Sequence, residues 1–295
     1  MNLFLAQLIS GLALGSIYVL LATGFNLMLL VARIIQFAYP HFVVLSMYVC
    51  WYVLRVTNDN IVLAILAAIL FAVFLNIVTQ PIFRHLMRRR EEETDINITF
   101  IVALGMSMIV TDVMSHELNE GFAIAFPEAW AGREAFIRFG LVTISMGEIF
   151  TLVVGIIAVI GFFYLLYRMK LGRSFRAIAE EPYVARLVGI PVTRMGIYSY
   201  AIAGLLGGII AVLLSLLLGS ASAGLGEMVA LKVLAVAIVA GLGNLLGGLV
   251  CGLFLGIAEA MVMGYFPGSW SNAIAFVLML VIVLAKPHGL FGTRV

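Results

Sequence analysis

Charge is scarce in this 295-residue chain: 11% of its residues are Asp, Glu, Lys or Arg, against about 25% in an average soluble domain. The deficit accompanies 64% apolar residues and a mean hydropathy of +1.17. A water-soluble core of this size cannot hide that much apolar surface, which excludes a soluble enzyme, a nucleic-acid binder and a disordered chain. Cysteine is scarce too. The two present, Cys50 and Cys251, lie in apolar stretches and give neither a disulfide framework nor a metal-ligand spacing. No Lys or Arg precedes Arg33, so the first apolar run lacks the charged start of a cleaved signal peptide and is expected to persist as a helix. The chain also lacks a Walker A loop, a His-Glu-x-x-His pair, a Gly-x-Ser-x-Gly elbow and paired aspartates within an apolar run. Neither nucleotide hydrolysis nor intramembrane catalysis is written into it, and no cofactor is expected in this chain.

What the chain has is apolar runs, near 4–30, 42–55, 61–83, 96–111, 141–167, 196–219, 229–266 and 272–285. Lipid offers the backbone no hydrogen-bond partners, so each run must satisfy its own amides, and the short alternating segments of a barrel are absent. The expected fold class is all-α: a polytopic integral membrane helical bundle of about eight (seven to nine) transmembrane helices. It forms a single integral membrane domain over 1–295, multi-pass in a lipid bilayer. The run 229–266 is too long for one span and is interrupted by Gly241, Gly243 and Asn244, which predicts either two helices or a span plus a half-helix.

Ten of the seventeen cations sit in two gaps, Arg84, Arg88, Arg89 and Arg90 in one and Arg168, Lys170, Arg173, Arg176, Arg186 and Arg194 in the other. The segment from Asp112 to Glu148 carries six acids against Arg133 and Arg138. The positive-inside rule therefore places the basic gaps in the cytoplasm, including a segment at 168–195, and a loop at 112–142 outside. The carboxylates of Glu91 to Asp95 beside the first arginines read as solvated charge pairs. With an odd number of spans the N-terminus lies outside and Lys286 and Arg294 inside. Glycines recur every four residues at Gly248, Gly252 and Gly256, at Gly204 and Gly208, and at Gly11 and Gly15, which predicts close helix packing seams.

Three places carry candidate chemistry. In YRMKLGRSFRAIAEEPYVARLVGIP, Tyr167 to Pro191, Glu180 and Glu181 precede Pro182 and suit a helix N-terminus, while Gly189 and Pro191 supply a stop. A short helix of about two turns is expected, with Val184, Leu187 and Val188 on its apolar face. It either lies on headgroups or docks into a groove of a cytoplasmic partner, and composition leaves the two readings even. In ARIIQFAYPHF, Ala32 to Phe42, Pro40 disfavours helix at Tyr39, so a helix is broken within an apolar neighbourhood. Such backbone must be buried in protein or line a wet cavity, which makes Gln36, Phe37, Ala38, Tyr39 and His41 candidates for a substrate pathway. Lys232 and Glu259 lie inside the long late run, with Glu227 before it and Asn272 after it. Charges at membrane depth are site candidates. Lys232 joins the pathway set, the alternative being a structural pair with Glu227.

The chain resembles the permease subunits of branched-chain amino acid ABC importers, particularly the H-type subunit of the Liv system. The resemblance runs nearly end to end. GLALGSIYVLLATGFNLML at Gly11 to Leu29 is similar to the family's opening helix, and RIIQFAYPHF at Arg33 to Phe42 stands where the family has an RIINFAHGEF-like sequence. LGRSFRAIAEEPYVARLVGI at Leu171 to Ile190 resembles the cytoplasmic coupling segment. The last third is similar at LKVLAVAIVAGLGNLLGGLVCGLFLGIAEA, Leu231 to Ala260, and at PHGLFG, Pro287 to Gly292.

The resemblance implies a permease that pairs with a second, homologous or identical permease, two cytoplasmic ATPases carrying ATP and Mg2+, and an extracytoplasmic substrate-binding protein in a bacterial inner membrane. It implies that Glu180, Glu181, Pro182, Ala185, Arg186, Leu187 and Gly189 form the element that sits on an ATPase. Tyr39-Pro40-His41 replaces the family's usual His-Gly-Glu, so the solute is expected to be a branched-chain amino acid or a related amide, urea or organic acid. The reading from another class is an ion-coupled secondary carrier using Lys232 and Glu259 without an ATPase.

Overall fold

The computed structural model describes residues 2–88, 96–118, 122–127, 130, 136–139 and 142–265, and then residues 273, 276–277, 280–282, 284, 286 and 289–291. Arg89, Arg90, residues 91–95, Arg133, Asn272, Pro287 and Arg294 lie outside the described residues. Ten helices carry the fold: α1 (Asn2–Ala32), α2 (Tyr39–Val56), α3 (Ile61–Arg88), α4 (Ile96–His116), α5 (Met146–Arg168), α6 (Lys170–Glu180), α7 (Pro182–Leu187), α8 (Val192–Leu218), α9 (Leu225–Ala240) and α10 (Leu245–Tyr265). Helical residues recur among 273–284. Among the described residues strand forms two pairs, β1 (Ile124–Ala125) with β4 (Ser220–Ala221) and β2 (Phe136–Phe139) with β3 (Val142–Ser145), both antiparallel.

Six helices, α1, α3, α4, α5, α8 and α10, are long and apolar enough to cross a membrane. α2 has 18 residues and α9 has 16; at 1.5 Å per residue α9 spans only about 24 Å. It is buried nearly all round, as a short element must be when it cannot reach both headgroup layers. α2, α9 and the helical residues near 273–284 add shorter described helical segments to these six spans. The loop expected at 112–142 is shifted: α4 continues to His116, and the β2–β3 hairpin runs to Ser145, whose side chain and Glu148 form a capping box at the start of α5. The acidic first turn that hydropathy assigned to the loop edge is therefore a helix cap.

The glycine seams are where the spacing placed them. A Cβ on Gly252 would stand 2.8 Å from the backbone nitrogen of Val19, and one on Gly11 2.8 Å from Cα of Ile257, so α1 and α10 lie antiparallel with backbones in contact. Gly204 and Gly208 press likewise on Val73 and Ile69 of α3. Without a hydrophobic driving force between helices in lipid, this backbone approach supplies the packing.

The seams also fix direction. Gln80 of α3 meets Gly196 of α8, and Ile69 meets Gly208, so the arginines ending α3 share one end of the bundle with α6, α7 and Arg194. At the other end Ser10 of α1 donates to Glu148 of α5 at 2.9 Å, and β4, just beyond α8, pairs with β1 of the acidic loop. The two basic gaps face one side and the acidic loop the other, the distribution that the positive-inside rule requires.

The late run divides into α9 and α10, and only the second of these is long enough to span, so the run is one span preceded by a shorter buried helix. Gly241 and Gly243 have φ of 91° and 83°, which side chains resist, and the Asn244 side chain accepts from Gly247 N at 2.8 Å to start α10. The last described residues strap this corner: Leu290 N donates to the carbonyl of Val239 at 2.7 Å, and Asn244 donates to the carbonyl of Phe291 at 2.8 Å.

Candidate functional site

At the basic end the sequence between Arg168 and Pro191 makes two helices instead of one. α6 is strongly amphipathic and turns Gly172, Phe175 and Ile178 inward. Gly172 packs directly against the terminal carbonyls of Leu165 and Leu166 of α5. One turn on, Arg176 donates to the carbonyl of Leu166 at 2.6 Å and lays its guanidinium 5.0 Å from the Tyr167 ring. Glu181 breaks the helix and caps α7 by accepting from Tyr183 N at 3.4 Å, with Pro182 in the first turn.

α7 closes with a Schellman motif: Ile190 N donates to Ala185 O and Gly189 N to Arg186 O, each at 3.0 Å, with Gly189 at φ 85°. Tyr183, Val184, Leu187 and Val188 point outward, Leu187 and Val188 at 70% and 71% exposure. Pro182 is half-buried, and Glu180, Glu181, Arg186 and Gly189 are exposed. Ala185 is the exception within the expected set. It is 2% exposed and belongs to the internal packing of α7, because the helix turns that side back onto α6 and α8.

The second site is the break between α1 and α2. α1 ends at Arg33, a non-glycine residue at φ 55° whose N–H still donates to Leu29 O. The chain then re-enters the bundle, and Gln36, Ala38, Tyr39 and His41 are buried, with Phe37 at the limit. The irregular backbone covers residues 33–38 only. Tyr39 and Pro40 open α2, Pro40 sitting in its first turn where no N–H is needed. Pro40 therefore starts a helix where the sequence suggested that it disrupts one.

The Tyr39 ring is clamped by glycines of two helices: a Cβ on Gly24 would fall 2.5 Å from its hydroxyl, and one on Gly207 3.2 Å from its ring. His41 rests on Gly226 of α9 in the same way, at 2.8 Å, and Phe37 packs edge-on to Phe100 of α4 with centroids 5.8 Å apart. The polar groups here are buried without partners: Gln36 Oε1 and Nε2, the Tyr39 hydroxyl and His41 Nδ1. Elsewhere in the bundle Thr23 Oγ1, Asn26 Nδ2, Asn76 Oδ1, Thr151 Oγ1 and the Tyr200 hydroxyl are buried in the same way. Buried polar atoms are ordinarily paired, so a concentration of unpaired ones marks groups kept for something other than stability. Sequence reasoning missed Tyr200, Thr23 and Asn26, since single hydroxyls and amides in apolar runs carry no pattern.

The third place is an ion pair. Lys232 Nζ lies 2.5 Å from Glu259 Oε1, the Tyr18 hydroxyl donates to Glu259 Oε2 at 2.6 Å, and Lys232 donates to the same hydroxyl at 3.1 Å. All three side chains are buried, and they join α9, α10 and α1. The structure pairs Lys232 with Glu259 and leaves Glu227 exposed, so the alternative pair with Glu227 is not formed. Lys232 is not brought together with Gln36 through any hydrogen bond among the described residues. Tyr18 was illegible in the sequence, where it is one tyrosine in an apolar helix.

Comparison with known proteins agrees over nearly the whole length. Residues 7–283 match the family described as branched-chain amino acid transport system / permease component. The high-affinity branched-chain amino acid transport system permease protein BraD of Pseudomonas aeruginosa is 27% identical over 297 residues, covering 98% of this chain and 96% of its own. The corresponding protein LivH of Escherichia coli strain K12 is 26% identical over 300 residues, with the same coverage. A probable LivH of Methanocaldococcus jannaschii is 24% identical over 288 residues, 94% of this chain and 89% of its own. No solved structure matches the chain. A helical bundle of apolar spans, matched from end to end in this way, belongs to the family of branched-chain amino acid transport system permease components.

Proposed function

We propose that the chain is the membrane-spanning permease of an ABC importer, moving a branched-chain amino acid or a related small amide, urea or organic acid inward by alternating access. In this reading it pairs with a second permease, receives solute from an extracytoplasmic binding protein, and is driven by two cytoplasmic ATPases that hold ATP and Mg2+. The observation that carries it is the exposed apolar face of α7, Tyr183, Val184, Leu187 and Val188. These residues stand on a helix capped at both ends, at the basic end of the bundle. Interfacial helices bury such a face in acyl chains, but α7 is six residues long and turns its opposite side onto α6 and α8. A short rigid knob of this kind fits a groove on a partner.

The solute pathway in this reading is the break, where Gln36, Tyr39 and His41 offer donors and acceptors. The test is reconstitution with the ATPases and binding protein in liposomes, followed by uptake of labelled leucine, valine, acetamide, urea and propionate. Uphill, ATP-dependent uptake of at least one is expected, lost with Leu187→Asp while the permease still inserts. Uptake without an ATPase, or coupling unchanged by Leu187→Asp, overturns the reading.

A further inference from the structure

At the end opposite α6 and α7, the outer turns of α2 and the end of α4 leave a cleft of about 620 Å3. Tyr48, Trp51 and Tyr52 of α2 and Leu118 line it, and so do two opposite charges, Arg55 and Glu117. The wall is built. The Trp51 indole donates to the Ala125 carbonyl at 3.0 Å, and the Arg55 guanidinium lies 4.9 Å over the Trp51 ring. Arg55 and Glu117 make no ion pair with each other or with another described residue. Tyr48 is buried at the inner side, and Tyr52 is 64% exposed.

We propose that this cleft binds a zwitterionic phospholipid with a primary ammonium headgroup, phosphatidylethanolamine in chemical terms, with its phosphate on Arg55, its ammonium on Glu117 and an acyl chain along Tyr48 and Tyr52. Four features select that ligand. Tryptophan and tyrosine at the end of membrane helices stand at headgroup level. Arginine matches phosphate oxygens with two parallel N–H groups. An anionic lipid without an amine leaves Glu117 unpaired beside its own charge. A choline headgroup has no N–H for Glu117, and the Trp51 face, the best of the lining rings for a quaternary ammonium, is already covered by Arg55. A free amino acid shares the two charges but leaves most of the apolar space empty. The ligand would lie on a stripe of α2 that continues inward through Tyr48, Leu45 and His41, at helical spacing, to the break. The site requires no ATPase and no transported solute.

The full-length chain is exchanged into nanodiscs containing phosphatidylethanolamine, phosphatidylcholine and phosphatidylglycerol in equal parts, released into mild detergent, and its retained lipids counted by native mass spectrometry. Phosphatidylethanolamine should be retained in preference to the other two. Arg55→Gln and Glu117→Gln should each lower its retention roughly tenfold, the scale of one charge-assisted contact, and Arg55→Lys should keep part of it. Thermal unfolding close to wild type shows that the variants are folded. Absence of enrichment in the wild type, or retention unchanged in both variants, overturns the proposal. Displacement of the lipid by millimolar leucine also overturns it and makes the cleft a solute-receiving site.

Discussion

The Lys232–Glu259–Tyr18 cluster separates a structural from a coupling role for the buried charges. Both carboxylate oxygens of Glu259 are occupied, and the ammonium has two partners. Removing one member strands the other in a low-dielectric interior, a loss of about 3–5 kcal/mol. Lys232→Met and Glu259→Gln should therefore lower the unfolding temperature of the purified chain steeply. The double variant Lys232→Met, Glu259→Met should recover most of the loss, since replacing a whole buried pair is often close to neutral. If the cluster holds α1, α9 and α10 together, the recovered double variant also transports. If it carries a coupling ion, the double variant folds and transports nothing. Tyr39 gives the opposite contrast. Its hydroxyl is buried without a partner, so Tyr39→Phe should leave stability unchanged or raised by about 1 kcal/mol while slowing uptake of the preferred solute.

Helix ends and small residues decide how the α6–α7 segment holds its shape. Gly189 has open space around it and a left-handed φ, so Gly189→Val should cost about 1–2 kcal/mol in the local turn. It should leave the membrane helices folded and uncouple ATP hydrolysis from uptake. Ala185→Arg must act differently from a change on the docking face, because Ala185 is packed inside. It should weaken the whole α6–α7 hairpin, seen as new proteolytic cleavage near residue 181, whereas Leu187→Asp should leave the hairpin resistant and remove only ATPase binding. The caps of α7 were legible because Glu, Pro and Gly act through local backbone geometry. The separate existence of α6 was not. Its inward face depends on Gly172 and Arg176 meeting the last turn of α5, a tertiary contact that no period in the sequence encodes. For the same reason Pro40 was misread: proline breaks a helix interior but suits a first turn, and only the position of α2 tells which applies.

Across the whole molecule, what was legible follows from lipid as solvent. Apolar runs must become helices, clustered arginines mark one side, and glycines at spacing four bring α1 to α10 and α3 to α8. The order of packing was not legible, and neither was the return of residues 33–38 into the bundle, because a re-entrant stretch of six residues has no hydropathy signature of its own. That return defines the sharpest test of how the molecule moves. The α1–α10 seam is backbone against backbone and is tied by the hydrogen bond from Tyr18 to Glu259, which makes it one rigid body. The break is instead surrounded by orphan polar groups that would gain partners only when water or solute enters. Opening should therefore occur at the break and spare the seam. After Cys50 and Cys251, both buried, are replaced by alanine, single cysteines at Gln36, Ala38 and His41 should react with a water-soluble thiol reagent in at least one nucleotide state of the assembled transporter. Cysteines at Val19 and Leu255 should stay unreactive in every state. Equal inertness at 36, 38 and 41 would place the break in the permanent core, and its unpaired amide and imidazole would then be a cost in stability with no transport to offset it.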